Sequence, residues 1–243
     1  MTIVIAKRNI MSKYDLPVYV VHYTKLLKRK IYIENVLKVY FKKFKFIKKY
    51  DKEDLYLDQN EFSYEKNSII FKNKIEELWE GQEAKYRELS NAEISCFLKH
   101  IEALKQASNS DYKYSLIIED DVIISKNFYN KFNKLLKNIE KFEWDVIFLG
   151  SGIGRQFIFK KLKHKIFFSS PQIVSHPASN CADSYIIKKE SAKILLKNLK
   201  TFHLSYDWEI AYQMYKLSFN VYWATRPLFE QGSKTGNYRS ELR

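Results

Sequence analysis

The stretch Ser115-Leu116-Ile117-Ile118-Glu119-Asp120-Asp121 sets three carboxylates at the end of a short, β-rich apolar run. A buried strand cannot carry that charge into its interior, because an unpaired carboxylate gives up its hydration there. The acids must therefore stand at the strand's C-terminal mouth, and in open α/β sheets that edge is where ligands bind. Glu119 and Asp121 sit two apart and reach the same side of an extended chain. Their hard oxygens suit a divalent cation, Mn2+ or Mg2+, which in turn can hold a nucleotide diphosphate. Asp120 would point elsewhere, to a backbone amide or a sugar hydroxyl. The other reading of the same acids is a cap on the following segment, favoured by its dipole.

Asp207, isolated in Leu204-Ser205-Tyr206-Asp207-Trp208, is a candidate further metal ligand or base, or simply a helix N-cap. Gly150-Ser151-Gly152-Ile153-Gly154 gathers three of the six glycines directly after a strand, allowing either close approach by a ligand or a tight turn. It is no dinucleotide fingerprint, since Arg155 stands where a third glycine would be. Arg29, near the start of a helix, can meet a phosphate or remain an exposed helix charge. Cys96 and His100 share a helix face, and His176 with Cys181 forms a second loose pair, but these spacings fit no common zinc pattern. Neither a Gly-x-Ser-x-Gly elbow nor a phosphate-binding glycine loop occurs.

The elements that would position these groups follow from hydrophobic period. Strands are expected over Pro17–His22, Lys43–Lys49, Leu116–Asp121, Trp144–Leu149, Tyr185–Ile187 and Phe219–Trp223. Ile33, Val36, Leu37, Tyr40 and Phe41 share one helix face. Ser90–Ala107 is the clearest helix, with Ser90 and Glu93 as a capping box and Leu89 with Ile94 as a hydrophobic staple. Further helices are expected over Phe128–Ile139, Glu190–Leu199 and Asp207–Leu217. Residues 51–88 read as an irregular insertion with a short helix around Ile75–Trp79. The alternation predicts an α/β sheet with mainly parallel pairing, and a single domain over residues 1–243.

A hydrophobic content of 46% with 16% aromatics supplies a real core and excludes global disorder. The net charge of +14 invites a nucleic-acid reading, but only seven of the 42 basic residues are Arg and the Lys are scattered. Most of that charge reads as solvated Lys faces, with a remaining bias toward anionic partners such as a sugar nucleotide or an acidic membrane surface. Two cysteines make no disulfide framework. No apolar run reaches transmembrane length, so a cytoplasmic protein with peripheral contact at an anionic membrane is expected.

Several blocks together resemble glycosyltransferase family 25. Val18-Tyr19-Val20-Val21-His22 followed by Lys28-Arg29-Lys30 is similar to its opening strand and Arg-containing helix. Leu89 through His100 is similar to its Glu-Ile-Gly-Cys-x-x-Ser-His block, with Ser95 in place of the usual Gly and Lys99 in place of the usual Ser. Leu116 through Val122 matches its acidic signature, and Trp144–Gly150 and Ser184–Ala192 match two later blocks. The resemblance implies a single-domain GT-A-like (Rossmann-like) fold and a metal-dependent, inverting transfer of galactose or glucose from a UDP-sugar. The acceptor would be a hydroxyl of a saccharide, glycolipid or hydroxylysine. It further implies Glu119 and Asp121, with Asp207, as ligands of Mn2+ or Mg2+. Asp207 and Asp120 would be catalytic carboxylates, and His22, Tyr23, Arg29, Glu93, His100 and Gly150 would surround the donor.

Two other classes compete: a basic nucleic-acid-binding protein without catalysis, disfavoured by the scarcity of Arg, and an inactive scaffold of the same fold, disfavoured by the intact Glu119-Asp120-Asp121.

Overall fold

The computed structural model describes residues 13–55, 61–78, 85–150, 172–173, 182–224, 227–233 and 235–239. Strand β1 (Tyr14–Val21) pairs in parallel with β2 (Phe41–Ile47) on one side and β4 (Tyr114–Glu119) on the other. Beyond β4 lie β8 (Ser184–Lys188), β6 (Val146–Phe148), β10 (Val221–Trp223) and β7 (Gln172–Ile173), in that order. The pairings make β1, β2, β4, β6 and β10 run one way, with β8 and β7 opposed. The sheet is thus mainly parallel, consistent with a Rossmann-like GT-A fold. Pro17 has no amide hydrogen to give the ladder, and the β1–β2 register shifts just before it.

Six helices are described: α1 (Leu27–Tyr40), α2 (Ser68–Leu78), α3 (Asn91–Ser108), α4 (Phe128–Ile139), α5 (Lys189–Asn198) and α6 (Tyr206–Lys216). Alternation along the strands sends Tyr19, Val21, Ile117, Tyr185 and Phe148 to one core, with Phe97, Ile101 and Leu104 of α3, Leu195 of α5 and Ile210 of α6. Val18, Val20, Ile118, Ile186 and Ile147 enter the other, with Ile33 and Leu37 of α1 and Phe128, Phe132 and Leu135 of α4. Two cores on opposite faces make a three-layer α/β/α sandwich.

Two short ribbons complete the frame. β5 (Val122–Ile124) pairs antiparallel with β11 (Phe229–Gln231), and β3 (Ser63–Tyr64) pairs with β9 (Thr201–Phe202). The stretch expected as an irregular insertion therefore contributes β3 and α2, and α2 packs on α6. Phe41, expected on the first helix face, instead opens β2 immediately after Tyr40 closes α1. Among the described residues no helix is long and apolar enough to cross a membrane.

Candidate active site

β4 ends at Glu119, and the chain turns through Asp120 and Asp121 into β5. All three acids border a cleft that opens to solvent, together with Tyr23, Arg29, Lys52, Cys96, Lys99 and Ser233. The cleft stands at the carboxyl ends of β1, β2 and β4, the edge where this architecture collects ligands.

Asp120 is a hub. Its Oδ2 accepts from His22 Nδ1 at 2.7 Å and from the Tyr23 amide at 3.2 Å, while its Oδ1 accepts from Arg29 Nη1 at 3.0 Å. His22 and Arg29 are both buried. Arg29 also donates to the Arg239 carbonyl and packs over the Tyr238 ring. Arg29, His22 and Tyr23, expected around a donor, thus converge on Asp120 and fix the β1–α1 loop against the acidic turn.

Asp121 is held differently. Burial raises its carboxyl pKa, and hydrogen bonding from Ser233 pulls it part of the way back. Its Oδ1 is buried without a hydrogen-bond partner among the described residues. The Gly232 amide donates to the Asp121 carbonyl at 2.7 Å, and a Cβ on Gly232 would fall 2.6 Å from that oxygen, so this approach requires glycine.

Glu119 is raised well above the ordinary carboxyl range by burial first and then by the charges of Asp121, Asp183, Asp120 and Asp207. Its Oε1 lies 3.2 Å from His100 Nε2. Burial holds His100 neutral, with its pKa pushed down to about 3. The ring stacks on Tyr206 at 3.9 Å, and its Nδ1 is 3.4 Å from the Tyr185 hydroxyl. α3 delivers His100 because the Ser90–Glu93 capping box fixes its first turn. Glu93 itself is occupied there and by two bonds from Arg87, at 2.5 and 2.8 Å. Leu89 and Ile94, the expected staple, enter the same core.

Asp207 stands in the first turn of α6, where its Oδ1 accepts from Ser205 Oγ at 2.7 Å and from the Trp208 amide at 3.0 Å. Its charge is felt at Glu119 and Cys96, yet ligand atoms of Glu119, Asp121 and Asp207 do not all fall within 4.8 Å of one another. Gly150 abuts Asp183: a Cβ there would lie 1.9 Å from Asp183 Oδ1. The rest of the Gly150–Gly154 loop, and the His176/Cys181 pair, lie outside the described residues.

Sequence reasoning missed Asp183, Ser233 and the Asp51–Lys99 pair. Because β8 is antiparallel, its first residues land beside the last residues of β4, and the Asp183 carbonyl accepts from the Glu119 amide at 2.8 Å. An aspartate just ahead of a short apolar strand was the available signal. Lys99 Nζ reaches Asp51 at 2.6 Å and the Lys49 carbonyl at 2.9 Å, and Ser95 Oγ donates to the Tyr50 carbonyl at 2.5 Å. The two positions that depart from the expected block therefore act together, pinning the loop after β2, where Tyr50 takes a positive φ of 69°.

Residues 15–210 match the family model described as glycosyltransferase family 25 (LPS biosynthesis protein). The chain is 31% identical over 112 residues to human procollagen galactosyltransferase 2, covering 45% of this chain and 17% of that protein. The mouse protein of the same name is 36% identical over 66 residues, 26% of this chain and 11% of the relative. Human inactive glycosyltransferase 25 family member 3 is 32% identical over 88 residues, 35% of this chain and 15% of the relative. The chain thus spans less than a fifth of the length of these relatives.

Proposed function

Because the chain belongs to glycosyltransferase family 25, we propose that it transfers a hexose, galactose or glucose, from a UDP-sugar to a hydroxyl of a saccharide, glycolipid or hydroxylysine acceptor. The observation that carries this reading is the convergence of Glu119, Asp120 and Asp121 on one cleft at the carboxyl edge of the sheet. The relatives named as procollagen galactosyltransferases favour galactose, and the family description favours a lipopolysaccharide acceptor as the alternative to hydroxylysine.

The residues fit a hard divalent cation. Asp121 Oδ1 is a buried acceptor with no described donor, and Glu119 sits in a negative field that only protonation or a cation relieves. Glu119 and Asp121 would hold Mn2+ or Mg2+, which when bound would neutralise charge gathering on a diphosphate leaving group. The protein's own groups supply the rest. Asp120 anchors the Tyr23 amide and Arg29, so the β1–α1 loop is set before a donor arrives. Lys52 and Tyr23 border the same cleft and offer a cation and a ring edge to a nucleotide. A single displacement needs one carboxylate to take the acceptor hydroxyl's proton; Asp207, exposed enough to meet an acceptor and outside the acidic turn, is our assignment.

A panel of nucleotide sugars, incubated with and without added Mn2+, tests this reading. UDP-galactose or UDP-glucose hydrolysis that requires the cation supports it; no turnover of any donor overturns it. The likeness to a relative named inactive favours one other reading, a scaffold of the same fold, for which donor binding without turnover is the expected result.

A further inference from the structure

Cys96 and His100 lie one turn apart on α3 and face the end of β4. His100 Nε2 is 3.2 Å from Glu119 Oε1, and Cys96 Sγ is 4.0 Å from the same oxygen. One ligand atom from each of the three lies within 4.8 Å of the other two, and among the described residues this is the one such group of three. Its donor set, a sulfur, an imidazole nitrogen and one carboxylate oxygen, is softer than the oxygen edge formed by Glu119 and Asp121.

Tetrahedral zinc with bonds of about 2.0 Å to nitrogen and oxygen and about 2.3 Å to sulfur sets its ligand atoms roughly 3.3–3.6 Å apart. The His100–Glu119 separation already meets that spacing, and the thiol, 4.0 Å from the Glu119 oxygen and within 4.8 Å of a His100 ring nitrogen, has to close on both when a metal enters. His100 is pre-oriented for the task. Tyr206 stacks on its ring, and the Tyr185 hydroxyl stands at Nδ1, leaving Nε2 toward Glu119. Cys96 and Glu119 both border the open cleft, which provides an entry path and room for a fourth ligand from solvent.

We propose that Cys96, His100 and Glu119 form a three-ligand site for a thiophilic divalent cation of the zinc class, with the fourth position open to the cleft. Loading transfers the Cys96 thiol proton to solvent and leaves the thiolate on the metal. The site shares Glu119 with the acidic edge, so a soft ion there withdraws that carboxylate from a hard one. That consequence rests on the donor-site reading above, whereas the existence of the site does not.

Cobalt(II) added to the metal-stripped full chain is the probe, read by absorption and needing no catalytic activity. The expected result is a sulfur-to-cobalt charge-transfer band that saturates at one equivalent and is removed by Zn2+ but not by the same concentration of Mn2+. Cys96→Ser abolishes the band, while Cys181→Ser keeps it. Glu119→Gln, checked for an unchanged fold by circular dichroism, weakens cobalt binding by roughly tenfold or more. The proposal is overturned if the wild-type chain gives no such band. It is equally overturned if the band survives Cys96→Ser and disappears in Cys181→Ser, or if Glu119→Gln binds cobalt unchanged.

Discussion

Arg29 and Asp120 form a buried ion pair, Nη1 to Oδ1 at 3.0 Å, that joins the first turn of α1 to the acidic turn after β4. The two side chains are only 9% and 8% exposed, so neither charge can recover its hydration if the other is removed. His22 and the Tyr23 amide complete the shell around the same carboxylate. Asp120 is thereby a positioning residue for its neighbours, and Glu119 and Asp121 are left facing the cleft.

Arg29→Met should cost about 3–5 kcal/mol of stability, the usual loss when one partner of a buried pair is removed. A urea titration of the variant beside the wild type measures it. A loss below about 1 kcal/mol, the range of surface pairs, would show that the pair is solvated.

Asp121 ionises at a cost, because burial raises its carboxyl pKa in the folded chain. The sign follows directly: a carboxyl raised on folding favours the folded state below its folded pKa, and that advantage is lost as pH rises through it. Asp121→Asn should therefore stabilise the metal-free protein at neutral pH, while removing any stabilisation by Mn2+. Thermal melts with and without the cation report both effects. A variant less stable than the metal-free wild type would contradict this balance.

His100 titrates with the opposite consequence. Its folded pKa is pushed down to about 3 from an ordinary 6.5, so the unfolded chain takes up the proton first. Its contribution is intact above about pH 6.5 and falls away as pH drops toward 3, at about 1.4 kcal/mol per pH unit within the window. Glu119, raised on folding, pulls the other way over part of that range, so the comparison must be with His100→Asn. The stability difference between wild type and variant should shrink as pH falls below 6.5; a difference independent of pH would show that the ring is hydrated.

Gly150→Ala places a Cβ 1.9 Å from Asp183 Oδ1, a distance no structure sustains. The Asp183 carboxylate must turn away, and with it the negative charge that acts on Glu119. A displacement on the order of 1 Å at a reacting centre costs about a hundredfold in rate. Transfer assays should show that loss in kcat more than in stability, and an unchanged kcat would remove Asp183 from the site.

Much of this frame is legible in residue order. The Leu116–Ile118 run, the Ser90–Glu93 box and the Phe128–Ile139 stripe each carry a local signal strong enough to fix an element, and each element forms where that signal lies. The acidic turn was legible too, because charge at the end of an apolar strand has only one place to go. What was not legible is set by distant pairing. Nothing local says that β8 runs against β4, so Asp183 could not be placed beside Glu119. Nor does spacing reveal that Arg29 would be consumed by Asp120, since that contact spans 91 residues and depends on where α1 docks. Ser233 escaped for the same reason: it reaches Asp121 only because β11 pairs with β5.

In the proposed reaction Glu119 and Asp121 hold a hard cation that in turn holds a nucleotide diphosphate. Calorimetric titration of UDP into the wild-type chain and into Asp121→Asn, each with and without Mn2+, decides the point. Mn2+ should strengthen UDP binding by at least roughly tenfold in the wild type, about 1.4 kcal/mol of coupling, and have no effect in the variant. UDP affinity that is indifferent to Mn2+ in the wild type, or equal coupling in both proteins, would contradict it.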